Sequence, residues 1–187
     1  MAENLITRAK DVAEAELASM SGRLAHVIGV AATADRVATS LMRDQRDEVI
    51  AAAWLHDVGY GPRVRSSGFH PLDGAAFLRS KGFPNVVSSL VAFHSGASEE
   101  AEERGLTESL SRFTPPPNDL LEVLTYADMT TGPTGESVTV DSRIAEILDR
   151  YPSSDPVYRA VSRSAPGLTA VVGRIDDQLE QLRRQPK

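Results

Sequence analysis

Apolar residues recur along this chain every three or four positions, and strand-like alternation is almost absent, so the pattern predicts helices and no significant sheet. A first helix, rich in Ala and Glu, is predicted over residues 3–18. Ser21-Gly22 breaks the chain, and Arg23 to Met42 read as a long helix. Its apolar stripe runs Leu24, Val27, Ile28, Ala31, Ala34, Val37, Ala38 and Leu41. Asp47 to Asp57 form a largely buried helix that Gly59 and Gly61-Pro62 end. The stretch YGPRVRSSGF, residues 60–69, is a polar loop. Pro71 serves as first helical residue of PLDGAAFLRSK, which Gly82 terminates. NVVSSLVAFH is an apolar helix ending at His94, and the acidic SEEAEERG reads as a solvated helical turn. TPPPNDL is a stiff connector with Asn118 or Asp119 as N-cap. LLEVLTYADMT, the turn TGPTGES, and helices at about 141–150 and 167–184 complete the chain. The expectation is an all-α bundle of about nine helices in one domain, 1–187. Its core spans about 20–131, with helix 3–18 and helices 141–184 packed on it.

Composition narrows the chemistry. A chain of 187 residues can bury a core without covalent staples. It has no cysteine, so disulfides, thiol catalysis and thiolate metal sites are excluded, and any metal must be held by His, Asp, Glu, backbone or water. The net charge of −6 supplies no basic footprint for a nucleic-acid polymer. No basic amphipathic anchor stands out, and no apolar run approaches the roughly 18–20 residues of a membrane span. Charges interrupt the apolar residues of the N-terminal segment every few positions, unlike a signal peptide. A soluble, cytoplasmic protein is expected.

Only four histidines occur, His26, His56, His70 and His94, each inside or at the edge of a predicted helix in apolar surroundings. Two carboxylates, Asp57 and Asp128, sit near the ends of apolar helices, where an unpaired charge is expensive. A divalent cation would take the lone pairs of all six groups at once. Successive gaps of 30, 1, 13, 24 and 34 residues are too long for a local loop site, and imply a centre assembled from helix ends across a bundle.

In order, His26, His56-Asp57 and Asp128 resemble the metal-dependent HD superfamily, with WLHDVG matching its dyad, RLAHVIGVA its first histidine and TYADMTT its last aspartate. The likeness covers roughly residues 20–131. FHPLDGA and AFHSGA add His70 and His94, matching the subset that holds two metals. The resemblance then implies a first metal on His26, His56, Asp57 and Asp128, and a second on His70 and His94 with Asp57 as bridge. Tyr60 stands where the HD-GYP cyclic-dinucleotide phosphodiesterases carry a lysine, and the HDxxED pattern of guanosine-tetraphosphate hydrolases is missing.

The activity so implied is a phosphohydrolase, in which metal-activated water attacks the phosphorus of a small phosphorylated metabolite, a nucleotide or phosphodiester. Asp57 and His56 would be its catalytic residues, and two divalent ions, iron or manganese, its cofactors. Arg23, one turn before His26, together with Arg63, Arg65 and Ser95, would bind substrate, and the TTGP turn would donate hydrogen bonds at the mouth. The partner is that small molecule, with no nucleic-acid polymer and no membrane. Helices 141–184 would cap the bundle, close the pocket or form a homodimer face. The same ligand set would also serve a mixed-valent di-iron oxygenase of the HD fold, and a third reading is a non-catalytic ligand-binding HD domain.

Overall fold

A computed structural model describes residues 4–42 and 44–184, so position 3 of the first predicted helix lies outside the described residues. Ten α-helical segments are present among them, one of which, Thr107–Leu110, is a single turn. There is no sheet among the described residues, only an isolated bridge between Thr131 and Ser137. No described helix is long and apolar enough to cross a membrane.

α1 (Leu5–Leu17) starts where the Asn4 side chain accepts hydrogen bonds from the Ile6 and Thr7 amides. It buries Ala9, Ala13 and Leu17 on one face, against α3 (Arg46–Leu55). α3 is the central element. Val49, Ile50, Ala51, Ala52, Ala53 and Leu55 are all buried, as expected for a helix apolar on every side. It packs on α1, α2 (Ser21–Leu41), α5 (Asn85–Phe93) and α8 (Asn118–Met129). Small alanines let these neighbours approach closely, so what leaves the end of α3 enters the middle of the molecule.

Several sequence expectations need correction. Ser21-Gly22 does not break the chain; these residues begin α2. Ile28 is 45% exposed, because α2 presents His26, Val27, Val30 and Ala31 to the core and so turns position 28 outward. The 60–69 stretch buries Val64 and Phe69 and follows a 3₁₀ turn, Val58–Tyr60. Pro117, rather than Asn118 or Asp119, occupies the N-cap position of α8. α6 (Ala97–Glu103) is not merely solvated: Glu100 is buried, and Glu102 and Glu103 pair with Arg159 and Arg163. Those arginines belong to α10 (Pro156–Arg184), which begins 11 residues before the expected 167 and carries Pro166 inside it. Packing overrides the proline's lost hydrogen bond: Ala160, Ser164, Leu168, Val172, Ile175 and Leu179 keep one unbroken buried face across it. α9 (Val140–Arg150) is held between α10 and α8.

Two glycines set the approach of elements to the centre of the bundle. A Cβ on Gly59 would lie 2.0 Å from the His70 carbonyl oxygen, so only glycine lets the 3₁₀ turn press against the start of α4 (His70–Ser80). A Cβ on Gly29 would fall 2.6 Å from the Gly135 carbonyl oxygen, so glycine is needed where the 131–137 turn folds onto α2.

Candidate metal centre

Four helix ends and one helix face meet at a single point. α2 contributes Arg23 and His26, one turn apart. His56 caps α3, and Asp57 follows it before the 3₁₀ turn. His70 opens α4, His94 closes α5 and Asp128 lies in the last turn of α8. All six residues expected to ligate are brought together. His26, His56 and Asp128 each offer an atom within 4.8 Å of the others, and so do Asp57, His70 and His94. Asp57 joins the two groups. Its Oδ2 lies 3.5 Å from His56 Nε2 and 4.0 Å from His26 Nε2, while its Oδ1 faces His70 Nε2 at 3.4 Å.

The imidazoles are pre-oriented by their outer nitrogens. Nδ1 of His26, His56 and His94 lies 3.0, 2.8 and 2.7 Å from the carbonyl oxygens of Gly132, Ala53 and Val91. Each carbonyl needs a donor, so a proton sits on Nδ1 and Nε2 turns inward, as a metal-binding histidine requires; at His56 and His94 it presents a lone pair, whereas at His26 it donates to Asp128 Oδ1. Two consequences test whether the group fits a cation. His56 Nε2 is buried without any hydrogen-bond partner. His70 Nε2 and His94 Nε2 face each other at 3.2 Å, although the His94 nitrogen has no proton to share. Converging lone pairs with two buried carboxylates are what divalent cations neutralise, and the residues present fit them.

The charges agree. Burial pushes the His56 imidazole down to about 4, against the pull of Asp57 and Asp128, so it is neutral near pH 7. Burial likewise lowers His70. His26 is raised, because the hydrogen bond and charge of Asp128, helped by Asp57, outweigh its burial. Asp57 resists its own desolvation through His56, Arg23, His70 and His26, and stays well below the usual carboxylate range. Asp128 is held low in the same way, chiefly by its hydrogen bond to His26 at 3.1 Å.

The four residues expected to bind substrate divide. Arg23 reaches the centre, where its Nη1 lies 2.7 Å from Asp57 Oδ2 and its guanidinium covers the Tyr60 ring at 4.2 Å. Tyr60 in turn stacks on His70, with ring centroids 4.1 Å apart. Ser95 lines the cavity over the centre, with a buried hydroxyl that has no partner and a left-handed backbone (φ 45°). Arg63 is not there: it is 69% exposed, pairs with Glu16, and borders a separate groove beside Phe77 and Phe113. Arg65 is exposed and borders only a neighbouring cavity, which shares Tyr60 and His70. The TTGP turn acts through an acceptor instead of donors, the Gly132 carbonyl behind His26.

Sequence reasoning missed the α9 contribution. Arg143, Ile147, Arg150 and Tyr151 line the cavity, and Arg143 Nη2 stands 3.8 Å from Asp128 Oδ1. Their spacing of four, seven and eight residues puts them on one helical face, which is the signal that could have found them. The family model described as HD domain matches residues 23–152 of the chain and so includes α9 with the six converging residues. No curated protein and no solved structure matches.

Proposed function

This chain belongs to the HD-domain family, whose members are in general metal-dependent phosphohydrolases, and on that premise we propose that it hydrolyses a small phosphorylated metabolite, a nucleotide or phosphodiester, at a centre of two divalent metals. The observation that carries this is the disposition of Asp57: one carboxylate oxygen faces His26 and His56, and the other faces His70. His26, His56, Asp57 and Asp128 would hold one ion, and Asp57, His70 and His94 the second. Imidazole with carboxylate suits iron or manganese. Bound there, the pair would acidify water and offset charge on phosphoryl oxygens.

The chain's own groups do the rest. Arg23 fixes the Asp57 carboxylate through Nη1 and lines the cavity. The Tyr60 phenol, raised by burial and by Asp57, keeps its proton at neutral pH and is a donor at the cavity wall. Ser95 adds a hydroxyl free to donate. The metal-loaded protein should hydrolyse chromogenic phosphoesters in the absence of oxygen, and Asp57→Asn should not. Turnover that requires dioxygen would favour an oxygenase, and wild-type hydrolysis by Asp57→Asn would remove Asp57 from the reaction.

A further inference from the structure

Three guanidinium groups line the cavity over the clusters: Arg23 pairs with Asp57, Arg143 stands 3.8 Å from Asp128, and Arg150 pairs with Glu146. Arg143 is 94% buried by its side chain, yet its Nε has no hydrogen-bond partner. Arg150 lies seven residues on, on the same face of α9. Glu146 braces both: its Oε2 takes Arg143 Nη1 at 2.6 Å, and its Oε1 takes Arg150 Nε at 3.0 Å. Arg150 Nη2 also donates to Glu146 Oε1, so one carboxylate holds both guanidiniums in place, and Asp128 lies 3.8 Å from Arg143 on its other side. Tyr151 and Ile147 complete this wall. The cavity is open on one side and holds about 80 Å³, below the roughly 300–1,000 Å³ of pockets that bury a drug-sized ligand.

We propose that Arg143 and Arg150, with Arg23 opposite, form an anion subsite for the terminal phosphoryl group of a phosphomonoester, which makes a compact monoester, and not a diester, the substrate. The inference rests on the phosphohydrolase reading and narrows it. A terminal phosphoryl group presents three free oxygens and between one and a half and two negative charges (roughly, near pH 7). A diester presents two free oxygens and a single charge. Guanidiniums fixed in advance favour the first, because Arg143 keeps Nε and Arg150 keeps Nη1 outside their hydrogen bonds to Glu146. A buried cation with an idle donor, beside a centre that would itself carry positive charge, is compensated by a dianion better than by a monoanion. The cavity is small and opens on one side, so the alcohol portion extends outward past Tyr151.

Calorimetric titration of metal-loaded protein with inorganic phosphate and with dimethyl phosphate tests this, with metal content measured on the same samples. Phosphate should bind at least about tenfold more tightly than dimethyl phosphate, the scale of a lost charge-assisted hydrogen bond. Arg150→Gln, which is partly exposed and pairs with Glu146 and not with the six converging residues, and Arg143→Lys, which keeps charge but loses the fork, should each weaken phosphate by about tenfold at unchanged metal content. Equal binding of the two probes, or wild-type phosphate affinity in both variants with metals retained, would overturn the monoester assignment alone. A wild-type chain that takes up no metal would overturn the phosphohydrolase reading and this inference with it.

Discussion

The inner cluster of His26, His56 and Asp128 keeps its histidines deeper than the outer cluster of Asp57, His70 and His94, although both border the cavity. In the first, both imidazoles are 2% exposed or less, and each is pinned through Nδ1 to a backbone carbonyl. In the second, the His70 side chain is 14% exposed and is held by stacking on Tyr60. The first cluster draws on α2, α3 and α8, which pack on one another around the core. The second depends on α4, whose approach is set by the Gly59 contact and whose preceding loop is ordered by Asp73. That carboxylate is buried and accepts hydrogen bonds from the Ser66, Ser67 and Gly68 amides. Rigid helices thus place one half of the centre and a braced loop places the other. A pre-organised site binds more tightly, so the inner half should hold its ion more firmly.

The strongest way to break this contrast is to remove what the halves share. Asp57→Asn should empty both, seen as near-complete loss of metal and of hydrolysis; a variant that keeps full metal content would show the two sites to be independent. His70→Gln should separate them, leaving about one equivalent of metal, because the second ion then keeps only Asp57 and His94 while the first keeps all four of its residues. Equal losses in the two variants would erase the asymmetry.

Acid should act through the histidines. His56, depressed to about 4, and His70 bind fewer protons folded than unfolded as pH falls from 6.5 toward 4. His26, which is raised, acts above pH 6.5, where its stabilisation is lost as pH rises, and contributes little change below it. Chelator-treated protein should therefore lose stability as pH falls from 6.5 toward 4, by at most roughly 3 kcal/mol from His56. Urea melts at pH 7 and pH 5 check this, and greater stability at pH 5 would contradict it. Asp57 and Asp128, held low, add stability that disappears only further into the acid range, below the ordinary carboxylate value near 3.8.

Smaller in effect, Gly29→Ala should push the 131–137 turn away from α2, at a cost of about 1–3 kcal/mol for overpacking. It should weaken the inner ion about 10- to 100-fold through the Gly132 carbonyl, with the outer ion retained. Arg63→Gln should change stability by less than about 0.5 kcal/mol and metal content not at all, because its ion pair with Glu16 is at the surface.

The six converging groups were legible because each is an ionisable residue in an apolar helix, a local contradiction that sequence displays directly. Helix α3 was legible for the same reason: a run apolar on all sides can only be central. The tilt of α2 was not, since Ile28 and Val30 are equally apolar and only the neighbours decide which one turns inward. Arg63 and Arg143 show the limit for charged residues. One lies in the loop between two ligands yet folds back onto α1, and the other is far along the chain yet stands beside Asp128. Pro166 hid the start of α10, although the four-residue register of Ala160, Ser164 and Leu168 passes straight through it.

Elemental analysis of the chain purified without chelator or added metal is the most direct test of a shared two-ion centre. Two equivalents of iron or manganese per chain, falling to about one in His70→Gln and to almost none in Asp57→Asn, is the expected result. A wild-type chain that holds a single ion, or none, would contradict the account.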